Sequence, residues 1–260
     1  MNNPETVRYR HDRDVAVITI HRPEAMNSFN TELRRDLFDA FRQAAGDMSV
    51  RAVVLTGEGR SFSAGADLKG SLSTERSVEE QLQLEYRPIF ECIATMDQPV
   101  IAAVGGSAAG IGMSYALACD LLIMADNAFL LSPFSTISLV PDGGLNWLLV
   151  QQIGYRQAFQ LAVEAERISA ARCVELGLAN KAVPAESLLV EALAWAHSLA
   201  ERAPLSIAAT KKAMRHALSH DWASTFDVEA PLQRRLRESA DCAEGVAAFF
   251  EKRKAQFKGL

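Results

Sequence analysis

The chain has little of what builds metal centres or disulfide frameworks. Its four cysteines, Cys92, Cys119, Cys173 and Cys242, are far apart and form no Cys-x-x-Cys pair, so they read as reduced core residues. The histidines are scattered, and only His216 and His220 share helical spacing. With no acid nearby to complete a ligand set, they read as a surface pair, and no metal is expected. Positive charge is not in excess: 27 basic residues face 32 acidic ones, a formal charge of -5, which argues against wrapping nucleic acid by bulk electrostatics. No apolar run approaches the roughly 20 residues of a membrane span. The polar stretch from Met1 to Arg13 lacks the apolar segment of a signal peptide, so the expected compartment is the cytoplasm, with no membrane partner. Neither glycine turn spells Gly-x-Gly-x-x-Gly with an acid correctly downstream, which weakens a dinucleotide fold.

What is present reads as a soluble globular chain: 49% hydrophobic and 23% charged residues over 260 positions, with no Pro/Ser-rich linker. One catalytic unit is expected. Thr6 to Arg10 and Val15 to Ile20 alternate around a charged turn as a β-hairpin does. Asn30 or Thr31 is placed to cap a helix carrying Leu33, Leu37, Phe38 and Phe41. Arg51 to Thr56 and Pro99 to Val104 read as buried strands, and Gly57 to Gly65 as loop. Ser71 to Ser77 reads as mobile. Val78 to Met96 reads as one long helix that Pro88 kinks or restarts. Ile111 to Cys119 is apolar on every side, as a buried central helix would be. Repeated strand-then-helix units give an α/β class for the first two thirds, followed by a helical last third.

Three stretches concentrate chemistry: Ser61-Phe62-Ser63-Ala64-Gly65-Ala66-Asp67-Leu68-Lys69, Gly105-Gly106-Ser107-Ala108-Ala109-Gly110-Ile111-Gly112, and Leu139-Val140-Pro141-Asp142-Gly143-Gly144. In the first two, an apolar strand runs through small residues into a helical pattern, leaving backbone N–H groups near Ala66 and Ile111 without local partners. Two such turns can aim donors at one oxygen, and a carboxylate such as Asp142 can move the proton whose loss charges that oxygen. Each turn alone is also what an ordinary structural loop requires, and Asp142 alone is also an ordinary turn aspartate.

Taken together with Gln98-Pro99-Val100-Ile101-Ala102-Ala103-Val104, Arg22-Pro23, Asn27, Gly177-Leu178-Ala179 and Glu244-Gly245-Val246, these stretches resemble the enoyl-CoA hydratase/isomerase (crotonase) family over nearly the whole chain. The resemblance implies a spiral of ββα units over residues 1–200 and a C-terminal helical region over 201–260, assembled as a homotrimer or a hexamer. It implies an acyl-CoA substrate with no separate cofactor, coenzyme A being part of the substrate. By position, the oxyanion donors fall on the amides of Ala66 and Ile111, where the family usually has Gly in place of Ile. Ala25, Ala64, Ala66, Asp67, Leu68, Lys69, Ile111, Ser114, Phe134 and Lys252 fall at substrate and coenzyme A positions, with Arg22 and Arg253 as further cations near the nucleotide. Loops around Leu72, Tyr86 and Phe134 would line the acyl pocket.

The same resemblance locates a departure. A hydratase of this family activates water with two glutamates, and their positions here hold Ser114 and Phe134. Asp142 stands where isomerase-like members carry their acid, and the motif around it looks most like the phenylacetate-pathway isomerases. The resemblance therefore favours isomerisation of a Δ3-enoyl thioester to the Δ2 form, or of a related ring or epoxide, over hydration. A non-catalytic acyl-CoA-binding homologue is a further alternative. A different class competes on one motif: Gly105-Gly106-Ser107-Ala108-Ala109 imitates a hydrolase nucleophile elbow, with Asp142 and His197 following in order.

Overall fold

The computed structural model describes residues 6–68 and 76–260. Lys69, Leu72 and the greater part of the stretch read as mobile lie outside the described residues. The chain opens on the expected hairpin, β1 (Val7–Asp12) paired antiparallel with β2 (Val15–Ile20), with Arg13 at φ 56° making the turn. Helix α1 (Thr31–Gly46) starts where Asn30 accepts a hydrogen bond from the Leu33 amide through its side chain. It buries Leu33, Leu37, Ala40, Phe41 and Ala44, the face its spacing prescribes.

The main sheet has six strands in the order β1-β2-β3-β5-β7-β10, where β3 is Ala52–Gly57, β5 Val100–Val104, β7 Leu121–Ala125 and β10 Lys181–Val183. From β2 onward all pairs are parallel. Residues 52–55 and 100–104 are fully buried, so both faces of these strands are covered, as continuous apolar runs require. A second, four-stranded sheet has the order β4-β6-β8-β9, with β4 Ser61–Ser63, β6 Ser107–Ala109, β8 Phe129–Leu131 and β9 Ile168–Ser169. Strands β3, β5 and β7 of the first sheet are each followed by a strand of the second, so the chain winds as a spiral of like turns. The sequence reading of 57–65 as loop is corrected here. Strand β4 and its neighbour β6 are only three residues each, and their pairing is tertiary (Ser61 opposite Ser107), so local pattern does not reveal them.

The long helix expected over 78–96 is α2 (Val78–Gln81), a π-helical turn at Leu82–Tyr86 and α3 (Arg87–Thr95). Pro88 sits in the first turn of α3. The wider π turn before it removes the clash that a proline ring makes with an α-helical carbonyl. Helix α4 (Ile111–Ala118) is buried at every residue. There follow α5 (Leu145–Ile153), α6 (Tyr155–Glu164), α7 (Ala170–Glu175) and α8 (Leu188–Ala200). Helix α8 lays Leu188, Ala192, Ala196 and Ala200 on the main sheet, a stripe of small residues that lets helix and strands approach closely. No described helix is long and apolar enough to cross a membrane.

The last stretch is helical as expected: α9 (Pro204–Ala217), α10 (Trp222–Arg237) and α11 (Ala240–Glu251). A buried polar seam fastens it to the sheet. Asp120, between α4 and β7, accepts from Lys211 Nζ at 2.8 Å, Arg215 at 2.8 Å and the Val100 amide at 2.9 Å. Burial pushes the Lys211 ammonium below its usual range and Asp120 opposes that shift. Asp120→Ala leaves two cations without their carboxylate, so the expected loss is about 3 kcal/mol of unfolding free energy, read by urea denaturation.

Candidate active site

The two turns meet because the second sheet brings their strands together. Loop 22–29 braces the first turn from outside. Asn27, fully buried, donates to the carbonyls of Ser61 at 2.6 Å and Glu58 at 2.9 Å, while Ser63 Oγ donates to the Asn27 carbonyl at 2.8 Å. The Ala64 amide donates to Met26 O at 2.9 Å, Phe29 N to Gly65 O at 2.8 Å and Asp67 N to Phe29 O at 3.0 Å. Phe29 and Ala66 thus form a parallel bridge in which the flanking residues supply both bonds. The N–H of Ala66 itself therefore points away from Phe29. Gly65, at φ 99°, lets the backbone cross against the second turn: a Cβ built there would stand 3.0 Å from Ala109 O and 3.6 Å from Gly110 Cα.

Gly110 donates to Leu131 O at 3.0 Å and leaves Ile111 as the first residue of α4, so the Ile111 amide has no intrahelical carbonyl and lies at the positive end of the helix. The Ile111 side chain is buried and packs toward the acid loop: a Cβ on Gly143 would lie 3.2 Å from Ile111 Cδ1, 2.9 Å from Ser114 Cβ and 2.8 Å from Phe90 Cζ. Phe134, also buried, has its ring edge 3.8 Å from a Cβ placed on Gly110. Gly65 and Phe134 therefore meet at Gly110, while Ile111 and Ser114 meet the acid loop at Asp142 and Gly143, so three separate stretches converge on the Gly110–Ser114 turn.

The Asp142 carboxylate has no ion-pair partner among the described residues, and its Oδ1 is buried without a hydrogen-bond partner. Burial pushes its pKa up to about 6, opposed in part by its own backbone amide. A carboxyl group poised near neutral pH beside unpartnered amide donors can accept a proton from carbon and give it back. Under the acid loop, Phe90 stacks on Tyr115 with ring centroids 4.1 Å apart, and Tyr115 stacks on Phe29 at 4.9 Å. This aromatic floor links the acid to the bridge that aims Ala66. The sequence reading missed it, because Phe29, Phe90 and Tyr115 each look like ordinary core residues.

The remaining expected residues divide. Ala25 ends a 3-10 turn (Pro23–Ala25) beside the first turn, and Leu68 is exposed next to it. Asp67 pairs with Arg22 at 3.2 Å, and Arg22 also donates to the Ser28 carbonyl at 2.5 Å. Arg22 is thus engaged in holding the turn. Lys252 ends α11, which packs on α10, and no described contact joins it to the turns. Arg253 is held by Glu244 at 2.6 Å and Glu251 at 2.5 Å. The hydrolase reading is overturned. Ser107 Oγ lies on Ser61 Oγ at 2.8 Å inside the second sheet, and His197 faces Asp12 and Asp14 at 3.3 Å each. Among the described residues no three His, Cys, Asp or Glu side chains are grouped to hold a metal ion.

Comparison with known proteins decides the family. The enoyl-CoA hydratase/isomerase family model matches residues 10–260. The chain belongs to the enoyl-CoA hydratase/isomerase family. This member is 41% identical over 254 residues to a probable enoyl-CoA hydratase of Rhodobacter capsulatus, covering 98% of each chain. It is 35% identical over 252 residues to the 1,2-epoxyphenylacetyl-CoA isomerase of Escherichia coli, covering 95% of this chain and 96% of the other. The crystal structure of an enoyl-CoA hydratase from Polaromonas superposes with a TM-score of 0.91 at 35% identity, over 96% of this chain and 99% of that one. The chain is accordingly a crotonase-fold enzyme of a family that acts on acyl-CoA.

The raised Asp142 pKa has a consequence for stability. Ionised Asp142 is disfavoured by the fold, so the destabilisation is fully present above about pH 6 and vanishes as pH falls through the unfolded carboxyl range. Asp142→Asn is therefore expected to stabilise the protein by on the order of 2 kcal/mol at pH 8, after allowance for partial exposure, and by almost nothing near pH 4. Paired denaturation curves at the two pH values check it.

Proposed function

We propose that this enzyme shifts a double bond, or opens a strained ring, in an acyl-CoA thioester by proton transfer through Asp142. The observation that carries the reading is a half-buried carboxylate whose Oδ1 has no hydrogen-bond partner, on the loop that packs against the helix beginning at Ile111, with Ser114 and Phe134 where a hydratase would need its acids. The thioester oxygen accepts hydrogen bonds from the amides of Ala66 and Ile111. Asp142 takes a proton from C2 of a 3-enoyl thioester, the electron pair delocalises onto that oxygen as a dienolate, and the same proton returns at C4. Nothing is added or lost, so substrate and product have equal mass. Each oxyanion donor is worth about 3 kcal/mol in the transition state. Coenzyme A is held along Ala25, Ala64, Asp67, Leu68 and Lys69, with Lys252 meeting the nucleotide across a subunit boundary. The E. coli relative's name supports the ring-opening variant of the same chemistry.

Hydration of a 2-enoyl thioester is the second reading, favoured by the name of the R. capsulatus relative. With Phe134 and Ser114 offering no carboxylate, Asp142 alone would have to activate water and protonate carbon. We further propose assembly as a homotrimer or hexamer through residues 201–260. In support, Trp222, Phe226, Phe249 and Phe250 of α10 and α11 are exposed, and a groove of about 470 Å³ opens between α9 and α10.

Purified enzyme is offered a 3-enoyl-CoA and a 2-enoyl-CoA, and products are followed by mass. The expected product of the first has unchanged mass, and kcat/KM falls below about pH 6 as Asp142 protonates. Asp142→Asn is expected to abolish turnover with coenzyme A binding intact. Robust addition of water surviving Asp142→Asn would sink the reading. Light scattering is expected to give three or six times the chain mass, and a monomer would contradict the assembly.

A further inference from the structure

We propose that Ser114 is a positioning residue whose hydroxyl ties the backbone of Asp142 to the first turn of α4, fixing the carboxylate relative to the Ile111 amide. The inference rests on the reading of Asp142 as the proton-transfer group.

Ser114 has no exposed surface, so its hydroxyl must find its partner inside the protein. It donates to the Asp142 carbonyl at 3.0 Å, and the alternative acceptor one turn back, Gly110 O, is at 3.5 Å. The good bond therefore leaves the helix and crosses to the acid loop. That loop has little else to hold it to α4. Ser138, Gly143 and Gly144 are at left-handed φ (61°, 62° and 77°), and Leu139 and Val140 are exposed. Its other described bonds are local: Leu139 N to Phe134 O, Leu145 N to Asp142 O and Asn146 Nδ2 to Pro141 O. Ser114 Oγ is, among the described residues, the hydrogen bond that joins the loop to the helix bearing the oxyanion amide.

Size also constrains the position. Ser114 Cβ lies 2.9 Å from where a Cβ on Gly143 would stand, so the helix and the loop backbone are in close contact at this point, and Oγ already reaches to 3.0 Å from the Asp142 carbonyl. Removing Oγ alone leaves this packing in place and frees the peptide beside the acid's Cα. A displacement of about 1 Å in a reacting group costs on the order of 100-fold in rate, whereas substrate binding by the main chain is untouched. A loosened loop also admits water to the carboxylate, which moves its titration back toward the usual range. The ionisable groups facing Asp142 are Tyr86 and Tyr115, both pushed upward by burial, with the Arg34 cation behind Tyr86. Both tyrosines are pushed further above neutral pH, so the acid limb of the rate profile reports Asp142.

The experiment compares the full-length enzyme with Ser114→Ala, Ser114→Cys and Asp142→Asn on a 3-enoyl-CoA from about pH 5 to about pH 9. Ser114→Ala is expected to lower kcat by about 10- to 100-fold with KM within about twofold, and to move the acid limb to lower pH. Ser114→Cys, which keeps a weaker donor on a somewhat larger atom, is expected to fall between, and it carries the test if the alanine variant does not fold. Wild-type kcat and an unmoved acid limb in both Ser114 variants overturn the inference, as does a loss confined to KM. Full turnover by Asp142→Asn instead overturns the reading beneath it, so the two failures are told apart.

Discussion

A buried carboxylate oxygen without a hydrogen-bond partner is an unfavourable thing for a fold to keep, and in this chain it organises the site. Asp142 sits on a loop whose backbone is bent by Ser138, Gly143 and Gly144, and its surroundings are Ile111, Phe134 and the edge of the Phe90–Tyr115 stack. Desolvation raises its proton affinity to the range where a weak carbon acid can be handled near neutral pH. Among the described residues the same surroundings supply no second carboxylate. The spiral therefore holds this carboxylate in a largely apolar wall, on a loop that packs against the helix beginning at Ile111.

The rest of the structure keeps the Ala66 and Ile111 amides in place. The first is aimed by a brace: Asn27 donates to the Ser61 carbonyl and its own carbonyl accepts from Ser63, and the Phe29–Ala66 bridge turns the amide outward. The second is aimed by a helix buried at every residue, which has no freedom to rotate. Gly65 and Gly110 let the two turns touch, since a side chain at Gly65 would meet the Ala109 carbonyl. Under the proposed reading, oxyanion stabilisation needs donors fixed before the charge develops, and each of these contacts would serve that requirement.

Much of this was legible in the sequence, for identifiable reasons. The hairpin, the Asn30 cap and the wholly apolar helix at 111–118 follow from periodicity and capping, which are local. The neighbourhood of Ala66, Ile111 and Asp142 followed from the resemblance to the family, and the structure brings them together. Strands β4 and β6 were hidden because three residues each, Ser-Phe-Ser and Ser-Ala-Ala, are too short to show a strand pattern; their pairing depends on the turn of spiral above. The part Arg22 plays in holding the first turn was hidden, because a sequence shows a cation but not that Asp67 lies 3.2 Å from it. Ser114 was seen as an absence of glutamate, while its hydroxyl bond to a carbonyl 28 residues away appears only in three dimensions.

The most direct measurement follows hydrogen. A 3-enoyl-CoA deuterated at C2 is converted in ordinary water, and the product is examined by NMR for deuterium at C4. If one buried carboxylate removes and returns the proton, a fraction of the label is expected at C4 in the wild type, and Asp142→Asn gives no product. Product free of C4 label from both proteins, formed at equal rates, would contradict the account.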